Sequence, residues 1–417
     1  MRLYIDPGSG SMLLTILIGM IAALAFFVKK LWLRLKFALR GGKVAVQAEK
    51  LPYVIFSDSK RYWNVFEPVC DEFERRGIAC EYWTMSPDDP ALNKVYEHVS
   101  CRFIGEDAKA FARLNAMKAD ICLSTTPGLD VFQWKRSKDT DWYAHVFHSV
   151  GDGTVYRMFG LDYYDAILAS GTYIEPRIRK LEEIRHQPAK EFRVVGATFF
   201  DSLQKRVESA APATHEGTTV LLAPSWGPNA ILTRYGDALI DALIATGCRI
   251  IIRPHPQSRT AEAAMLERLQ KKYPDGEKLS WNFDNDNFDV LNASDIMISD
   301  FSGVIFDYAF FFDRPILYAD TEFDTAPYDA AWLEEKPWTP SVVPLIGRKL
   351  EADDFPNLGE IIDGMIHDTG YAESRRKLCE EAWPCRGKAA ENIVDYLTEK
   401  RTQLCEARAA AQKTEET

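Results

Sequence analysis

Short apolar runs alternate with helix-like segments along most of this 417-residue chain, and no other feature constrains its fold as strongly. Runs such as 52–57, 120–124 and 249–252 end in polar or glycine-containing turns, and segments with helical spacing lie between them. Strands separated by helices form βαβ units, whose strands pair in parallel. The sequence therefore predicts an α/β fold built from doubly wound, Rossmann-type halves.

The alternation breaks once, around residues 205–217, where Ala, Ser and Glu are frequent and Pro212 and Gly217 occur. This composition is typical of a linker. We expect two Rossmann-type domains that face a cleft, which is the GT-B arrangement. The predicted boundaries are an N-terminal segment at 1–11, an apolar span at 12–28, a basic linker at 29–48, a first domain at 49–205, a second domain at 217–385, and a C-terminal helix and tail at 386–417.

Residues 12–28 form an apolar run interrupted only by Thr15, close to the minimum length that spans a bilayer. Six lysine and arginine residues follow it before the first acidic residue, Glu49, whereas a secretory signal carries its cations ahead of the apolar core. The positive-inside tendency predicts one transmembrane helix with everything after residue 29 in the cytoplasm. We expect a single-pass protein of the inner (cytoplasmic) membrane whose basic linker contacts the anionic inner leaflet. A buried core helix is the alternative.

Net charge, cysteine spacing and one acidic loop indicate which kinds of ligand the chain is not expected to bind. A net charge of −11 and a pI near 5.3 argue against a nucleic-acid partner. The eight cysteines form no C-x-x-C pair, so neither a zinc site nor a redox motif is indicated. Residues 284–289 resemble a calcium loop but lack the glycine and the distal glutamate that an EF-hand requires. We expect no metal and no cofactor.

Two polar turns in the second half suit a phosphate ligand. Arg253-Pro254-His255-Pro256 follows one predicted strand, and its prolines stiffen a cationic loop. The turn at 299–303 follows another strand and opens a helix, whose free N–H groups and dipole favour an anion. Ligands of open parallel sheets bind at the carboxyl ends of strands, so both turns should face one crevice and hold a pyrophosphate. The alternatives are a structural proline-rich turn and a simple N-cap.

The first half offers one candidate general base, His148, which follows a predicted strand and precedes a glycine-rich turn. An unperturbed imidazole titrates near neutral pH, as proton transfer from a hydroxyl requires. We expect Asp152 to orient this ring and Arg157 to hold a phosphate. A structural histidine at the end of a strand is the alternative.

These motifs together resemble the CDP-glycerol glycerophosphotransferase family, enzymes of teichoic-acid and related polymer synthesis. The 253–256 turn is similar to the family's Arg-x-His-Pro element, and 299–308 to its Ser/Thr-Asp-Tyr-Ser-Ser-x-x-Phe-Asp-Tyr element. Residues 223–226 resemble its Ala-Pro-Thr-Trp/Phe turn, and the resemblance covers roughly 140–325. The family's Trp-His-Gly-Thr-x-x-Lys is present only as Phe147-His148-Ser149, and Gly303 replaces the second serine of the downstream element.

The resemblance implies an enzyme that moves glycerol phosphate, or another polyol phosphate, from a CDP-activated donor to a hydroxyl of a lipid-linked or polymeric glycan, releasing CMP. A GT-B glycosyltransferase using a CMP- or UDP-sugar and a non-catalytic, nucleotide-binding membrane scaffold stay open as alternatives. The predicted site comprises His148 and His255 as catalytic residues, Arg253, Ser225, Asp300, Ser302, Gly303 and Asp307 on the donor side, and Asp152 and Arg157 on the acceptor side.

Overall fold

The computed structural model describes residues 50–211, 216–284, 286–319 and 321–415. Within these ranges, no helix combines the length and the apolar character that a membrane crossing needs. The predicted segment at 1–11, the span at 12–28 and the linker at 29–48 lie outside the described residues, so they stay predictions.

The first half of the described chain is built on a seven-stranded parallel sheet. Its strands are β1 (Leu51–Ser57), β2 (Cys80–Thr84), β3 (Val99–Phe103), β4 (Ala119–Ser124), β5 (Thr140–Val146), β6 (Ala166–Ala169) and β7 (Glu191–Val194). They lie side by side in the order β3-β2-β1-β4-β5-β6-β7. The helices that accompany them are α1 (Trp63–Arg75), α2 (Asp107–Leu114), α3 (Glu175–Ile184) and α4 (Thr198–Ser209).

The second half repeats this architecture with a six-stranded parallel sheet. Its strands are β8 (Thr219–Leu222), β9 (Arg249–Ile252), β10 (Leu279–Trp281), β11 (Ile296–Ser299), β12 (Ile316–Ala319) and β13 (Arg348–Leu350), in the order β10-β9-β8-β11-β12-β13. Its helices are α5 (Ile231–Ala245), α6 (Ser258–Ala261), α7 (Ala263–Lys272), α8 (Phe288–Ala293), α9 (Val304–Phe311), α10 (Trp338–Ile346), α11 (Leu358–Ile366), α12 (Ala372–Ala382) and α13 (Ala389–Glu415).

The predicted α/β class with parallel sheets is confirmed. The central strands β4, β8 and β11 are buried along their whole length, because helices cover both faces of each sheet. In each sheet the strand order reverses once, between β1 and β4 and between β8 and β11. A crevice opens at such a reversal, outside the carboxyl ends of the strands.

Two helices carry the chain across the boundary between the halves. Phe200 on α4 packs against Phe311 and Trp383 of the second-half core, with ring centroids 4.9 and 5.4 Å apart. Helix α13 returns to the first half, where Ile393 and Val394 join the core around β1. Residues 205–209 of the expected linker belong to α4. The sheets lie inside the segments predicted as domains, and the domain boundaries themselves stay predictions.

A segment after β12 docks on the first half. Its residue Asp329 accepts hydrogen bonds from the backbone N–H groups of Phe159 and Gly160, at 2.6 and 3.1 Å. Asp329 also pairs with Arg185 at 2.5 Å, and each of these two side chains is only 3% exposed. A buried, hydrogen-bonded ion pair of this kind fixes one geometry, because leaving either charge alone is costly. The segment around Asp329 is therefore held in one position against the first half.

Candidate functional site

A cleft of about 730 Å³ opens at the carboxyl ends of both sheets. The first half contributes His148, Asp152 and Arg157 to its lining, and the second half contributes Ser225, His255 and Gly303. The sequence analysis assigned all six residues to the site. The structure thus brings the predicted donor and acceptor sides together in one space.

His148 follows β5, and its ring is oriented from a neighbouring strand. Its Nδ1 lies 3.1 Å from the hydroxyl oxygen of Thr125, which follows β4. Burial, and then the positive charge of Arg61, lower the pKa of His148 to about 4. The ring is therefore neutral at pH 7. If Nδ1 carries the hydrogen and donates it to Thr125, Nε2 is free to accept a proton.

Asp152 has a different role from the one predicted. Its carboxylate accepts hydrogen bonds from the backbone N–H and the hydroxyl of Thr154, at 2.8 and 2.6 Å, and from the backbone N–H of Trp338 in the second half. Thr125 orients His148, whereas Asp152 holds a turn and joins the halves. Gly153 is required in this turn, since a Cβ there would lie 2.6 Å from the ring of Phe147.

A second histidine lies behind the base. His145 on β5 is fully buried, and neither of its ring nitrogens has a hydrogen-bond partner. Its ring packs edge-on against Phe147, Tyr156 and Tyr164, with centroids 5.0 to 5.5 Å away. Burial, and then the charge of His148, lower its pKa to about 3. His145 is therefore neutral and packs behind His148 as an apolar side chain would. Sequence analysis did not single it out.

His255 on the opposite wall is held in one tautomer. The backbone N–H of Gln257 donates to its Nδ1 at 3.1 Å, so the hydrogen of the neutral ring lies on Nε2. Burial, and then the charge of Arg61, lower its pKa to about 4. The ring stacks on Trp226, which is 38% exposed and also lines the cleft. His255 is thus a neutral hydrogen-bond donor at pH 7.

Arg253 does not line the cleft. Its side chain is 9% exposed, and Nη1 donates to the carbonyl oxygen of Asp284 at 2.8 Å and to the side-chain oxygen of Asn282. The guanidinium thus anchors the loop after β10. The proline after Arg253 stiffens the backbone of the loop. The sequence pattern does not show in which direction the arginine side chain points.

Asp300 lies behind the turn predicted to bind an anion. Its two carboxylate oxygens accept hydrogen bonds from the backbone N–H groups of Ser225 and Ile231, at 2.9 and 2.8 Å. Burial raises its pKa to about 6. Asp300 therefore joins the loops after β8 and β11. Ser302 is buried beside it, whereas Gly303 is exposed to the cleft.

Asp307 faces α8 rather than the cleft. It is buried, and its carboxylate accepts a 3.0 Å hydrogen bond from the side chain of Asn287. Burial raises its pKa to about 7. The structure therefore places Asp307, like Asp300 and Arg253, in the framework around the donor side.

Sequence analysis missed the turn after β1. This turn places Tyr62 in the cleft, with its ring centroid 4.8 Å from that of His148. Phe301, Phe323 and Tyr328 form an aromatic row along the opposite wall, with neighbouring centroids 5.1 and 5.4 Å apart. The position of the turn at the carboxyl end of a central strand was the signal that could have identified it.

A metal ion in a protein is held by clustered His, Cys, Asp or Glu side chains. Across the ranges that the structure describes, no group of three or more His, Cys, Asp or Glu residues has a suitable arrangement.

Several solved structures share the fold of this chain. The wall teichoic acid polymerase TagF is 14% identical, with a TM-score of 0.55, over 93% of this chain and 98% of that chain. A putative UDP-N-acetylglucosamine 2-epimerase from Listeria monocytogenes is 14% identical, with a TM-score of 0.53. The match covers 83% of this chain and 95% of that chain. The UDP-GlcNAc 2-epimerase of Methanocaldococcus jannaschii is 13% identical, with a TM-score of 0.53. The match covers 84% of this chain and 100% of that chain. At these identities the likeness shows the fold alone.

A search of the curated proteins gave no match. Residues 197–398 match the family described as CDP-Glycerol:Poly(glycerophosphate) glycerophosphotransferase. The match covers the second half, including the loops of Ser225, His255 and Gly303. It identifies residues 197–398 as a domain of this family, and the chain as a CDP-glycerol glycerophosphotransferase-like enzyme.

Proposed function

We propose that the protein transfers glycerol phosphate, or another polyol phosphate, from a CDP-activated donor to a hydroxyl of a lipid-linked or polymeric glycan, and releases CMP. One observation carries this proposal. His148 and His255 come from opposite halves and line the same cleft, one with a ring nitrogen able to accept a proton and the other with a ring N–H.

The donor pyrophosphate would lie on the second half. Nε2–H of His255 and the backbone N–H groups of the Gly303 turn supply neutral hydrogen bonds to phosphate oxygens. His255 is fixed before the reaction by Gln257, and Asp300, which precedes the Gly303 turn, is tied to the loop after β8 through the backbone N–H of Ser225. Fixed donors stabilise charge that develops during transfer more effectively than water does.

The acceptor hydroxyl would lie beside His148. Nε2 of His148 takes the hydroxyl proton as the oxygen attacks the β-phosphorus in line. A new P–O bond forms, the bond from the β-phosphorus to the bridging oxygen breaks, and CMP leaves with that oxygen. Positioning and charge stabilisation carry most of such a phosphoryl transfer. The low pKa of His148 keeps the base unprotonated at pH 7.

The membrane part of the proposal rests on the sequence. An apolar span at 12–28 followed by six cations would hold the cytoplasmic domains at the anionic inner leaflet. A lipid-linked acceptor is compatible with that position.

The test is turnover by the full chain with CDP-glycerol, CDP-ribitol, CMP-sialic acid and UDP-sugars, measured as release of CMP or UDP in the presence of glycan acceptors. We expect CMP release from a CDP-polyol. His255→Ala should lower the rate roughly 100-fold or more, in line with the loss of one fixed donor. His255→Gln keeps a side-chain N–H and should retain more activity than the alanine variant.

Other outcomes assign the protein to other classes. Preferred turnover of a sugar nucleotide would make it a glycosyltransferase. Nucleotide binding without turnover of any donor would make it a scaffold. Wild-type turnover by His255→Ala would contradict the assignment of this residue.

A further inference from the structure

Among the described residues, no lysine or arginine of the second half lines the cleft. Arg253, the arginine expected there, is buried and hydrogen-bonded to the loop after β10. Ser225, His255 and Gly303 are uncharged at pH 7, and the charged side chain that the second half adds to the lining is the acidic Asp324. A nucleoside diphosphate carries several negative charges, and arginine is the residue that most often pairs with phosphate in a bidentate manner.

Arg61 is an exposed arginine at the carboxyl end of β1. Its Nε donates to the hydroxyl oxygen of Ser59 at 3.2 Å, and its guanidinium carbon lies 5.3 Å from the ring centroid of Tyr62. Among the described residues, its two terminal nitrogens have no hydrogen-bond or ion-pair partner. Stacking on Tyr62 restrains the side chain and leaves the planar fork open for a ligand.

One chain of ring contacts and one electrostatic effect link Arg61 to the cleft, which it borders without lining it. Tyr62 lines the cleft, and its ring lies 4.8 Å from that of His148. After burial, the charge of Arg61 is the largest influence on the pKa of His255: it lowers this pKa, Glu262 raises it, and Arg253 lowers it less. Arg61 belongs to the first half and His255 to the second, so the positive charge reaches across the opening. Arg157 is the arginine that lines the cleft itself, and its backbone pairs with that of Tyr328, whereas Arg61 lies next to the lining residue Tyr62.

We propose that Arg61 binds the pyrophosphate of the nucleotide donor from across the cleft, replacing the charge that Arg253 does not provide. This inference rests on the proposed function insofar as the donor is a nucleoside diphosphate derivative. The donor site is then complete only when both halves contribute. The positive charge of Arg61 would lie between the base His148 and the donor ligand His255.

The test is the affinity of the full chain for CMP and CDP, measured by calorimetry on the wild type, Arg61→Gln and Arg61→Lys. We expect Arg61→Gln to weaken CDP binding roughly 10- to 100-fold, as for the loss of a charged hydrogen bond, and CMP binding much less. Arg61→Lys should fall between the wild type and Arg61→Gln. Arg249→Gln is the matched control, because Arg249 is exposed at the amino end of β9, away from the cleft.

Two results would overturn the inference: CDP binding by Arg61→Gln at wild-type strength, or an equal loss of CMP and CDP binding. UDP and inorganic pyrophosphate separate this inference from the proposed function. If the wild type prefers UDP and that affinity depends on Arg61, the proposed donor is wrong and the role of Arg61 stands. If the wild type binds no diphosphate, both fail.

Discussion

The hydroxyl oxygen of Thr125 lies 3.1 Å from Nδ1 of His148. The two residues follow β4 and β5, which are adjacent parallel strands with Ser124 paired to His145. The sheet register therefore sets the position of the proposed base relative to the group that orients it.

Replacing Thr125 should test this orientation. We expect Thr125→Val to lower kcat roughly 10- to 100-fold, because the ring loses the hydroxyl partner that holds its Nδ1. The KM for the donor should stay unchanged, since neither Thr125 nor His148 is among the proposed donor ligands. Thr125→Ser keeps the hydroxyl and is the control. Unchanged kcat in the valine variant would show that Thr125 does not orient the base.

The pH dependence of kcat/KM should differ from that of an enzyme whose histidine base has an unperturbed pKa. A base with a pKa near 4 stays neutral from pH 8 down to about 5.5, so we expect a flat profile over that range. Activity should fall only as the pH approaches the lowered pKa and the ring becomes protonated. Reassay at pH 7 after exposure to pH 5.5 controls for unfolding. A half-maximal rate near pH 6.5 would contradict the account.

Asp300 should matter for stability as well as for activity. Asp300→Ala leaves the backbone N–H groups of Ser225 and Ile231 without their acceptor, and Ile231 is fully buried. We expect a loss of about 2–4 kcal/mol in the free energy of unfolding. Asp300→Asn retains one acceptor oxygen and should lose less. Urea denaturation at pH 7 measures both, and equal stability of alanine variant and wild type would contradict the assigned role.

The buried pair of Arg185 and Asp329 should hold the second-half segment on the first half. We expect Arg185→Met to cost about 3–5 kcal/mol, because it leaves the buried carboxylate of Asp329, and that of Asp162 as well, without a counter-charge. Arg185→Met combined with Asp329→Asn should cost less than the sum of the single changes. The exposed pair of Lys180 and Glu183 is the control, and Lys180→Met should cause no measurable change. Additive single and double changes would contradict the coupling.

The sequence predicted the fold class because the alternation of apolar runs and helical spacing directly reports local structure. It also predicted that the loops of His148, Ser225, His255 and Gly303 share a crevice, since the carboxyl ends of parallel strands meet at one edge. Both predictions needed only the order of elements along the chain. The catalytic and binding roles of these residues stay proposals.

Side-chain direction after a turn was less predictable. Arg253 and Asp307 have the residue types expected of ligands, but local packing turns them towards Asp284 and Asn287. The partner of Asp152 is Trp338, which lies far along the chain, so no spacing rule could indicate it. Arg61 lies in a turn that reads as a solvated polar segment, and only its tertiary position brings its charge near His255.

The central claim is that His148 and His255 act on one CDP-polyol from opposite walls of the cleft. Measuring both CDP-glycerol affinity and CMP release for His148→Asn and His255→Ala tests it most directly. We predict that His148→Asn binds the donor with wild-type affinity but releases CMP at least roughly 100-fold more slowly. His255→Ala should lose both affinity and rate. Wild-type CMP release by His148→Asn, or unchanged donor affinity and rate in His255→Ala, would contradict the account.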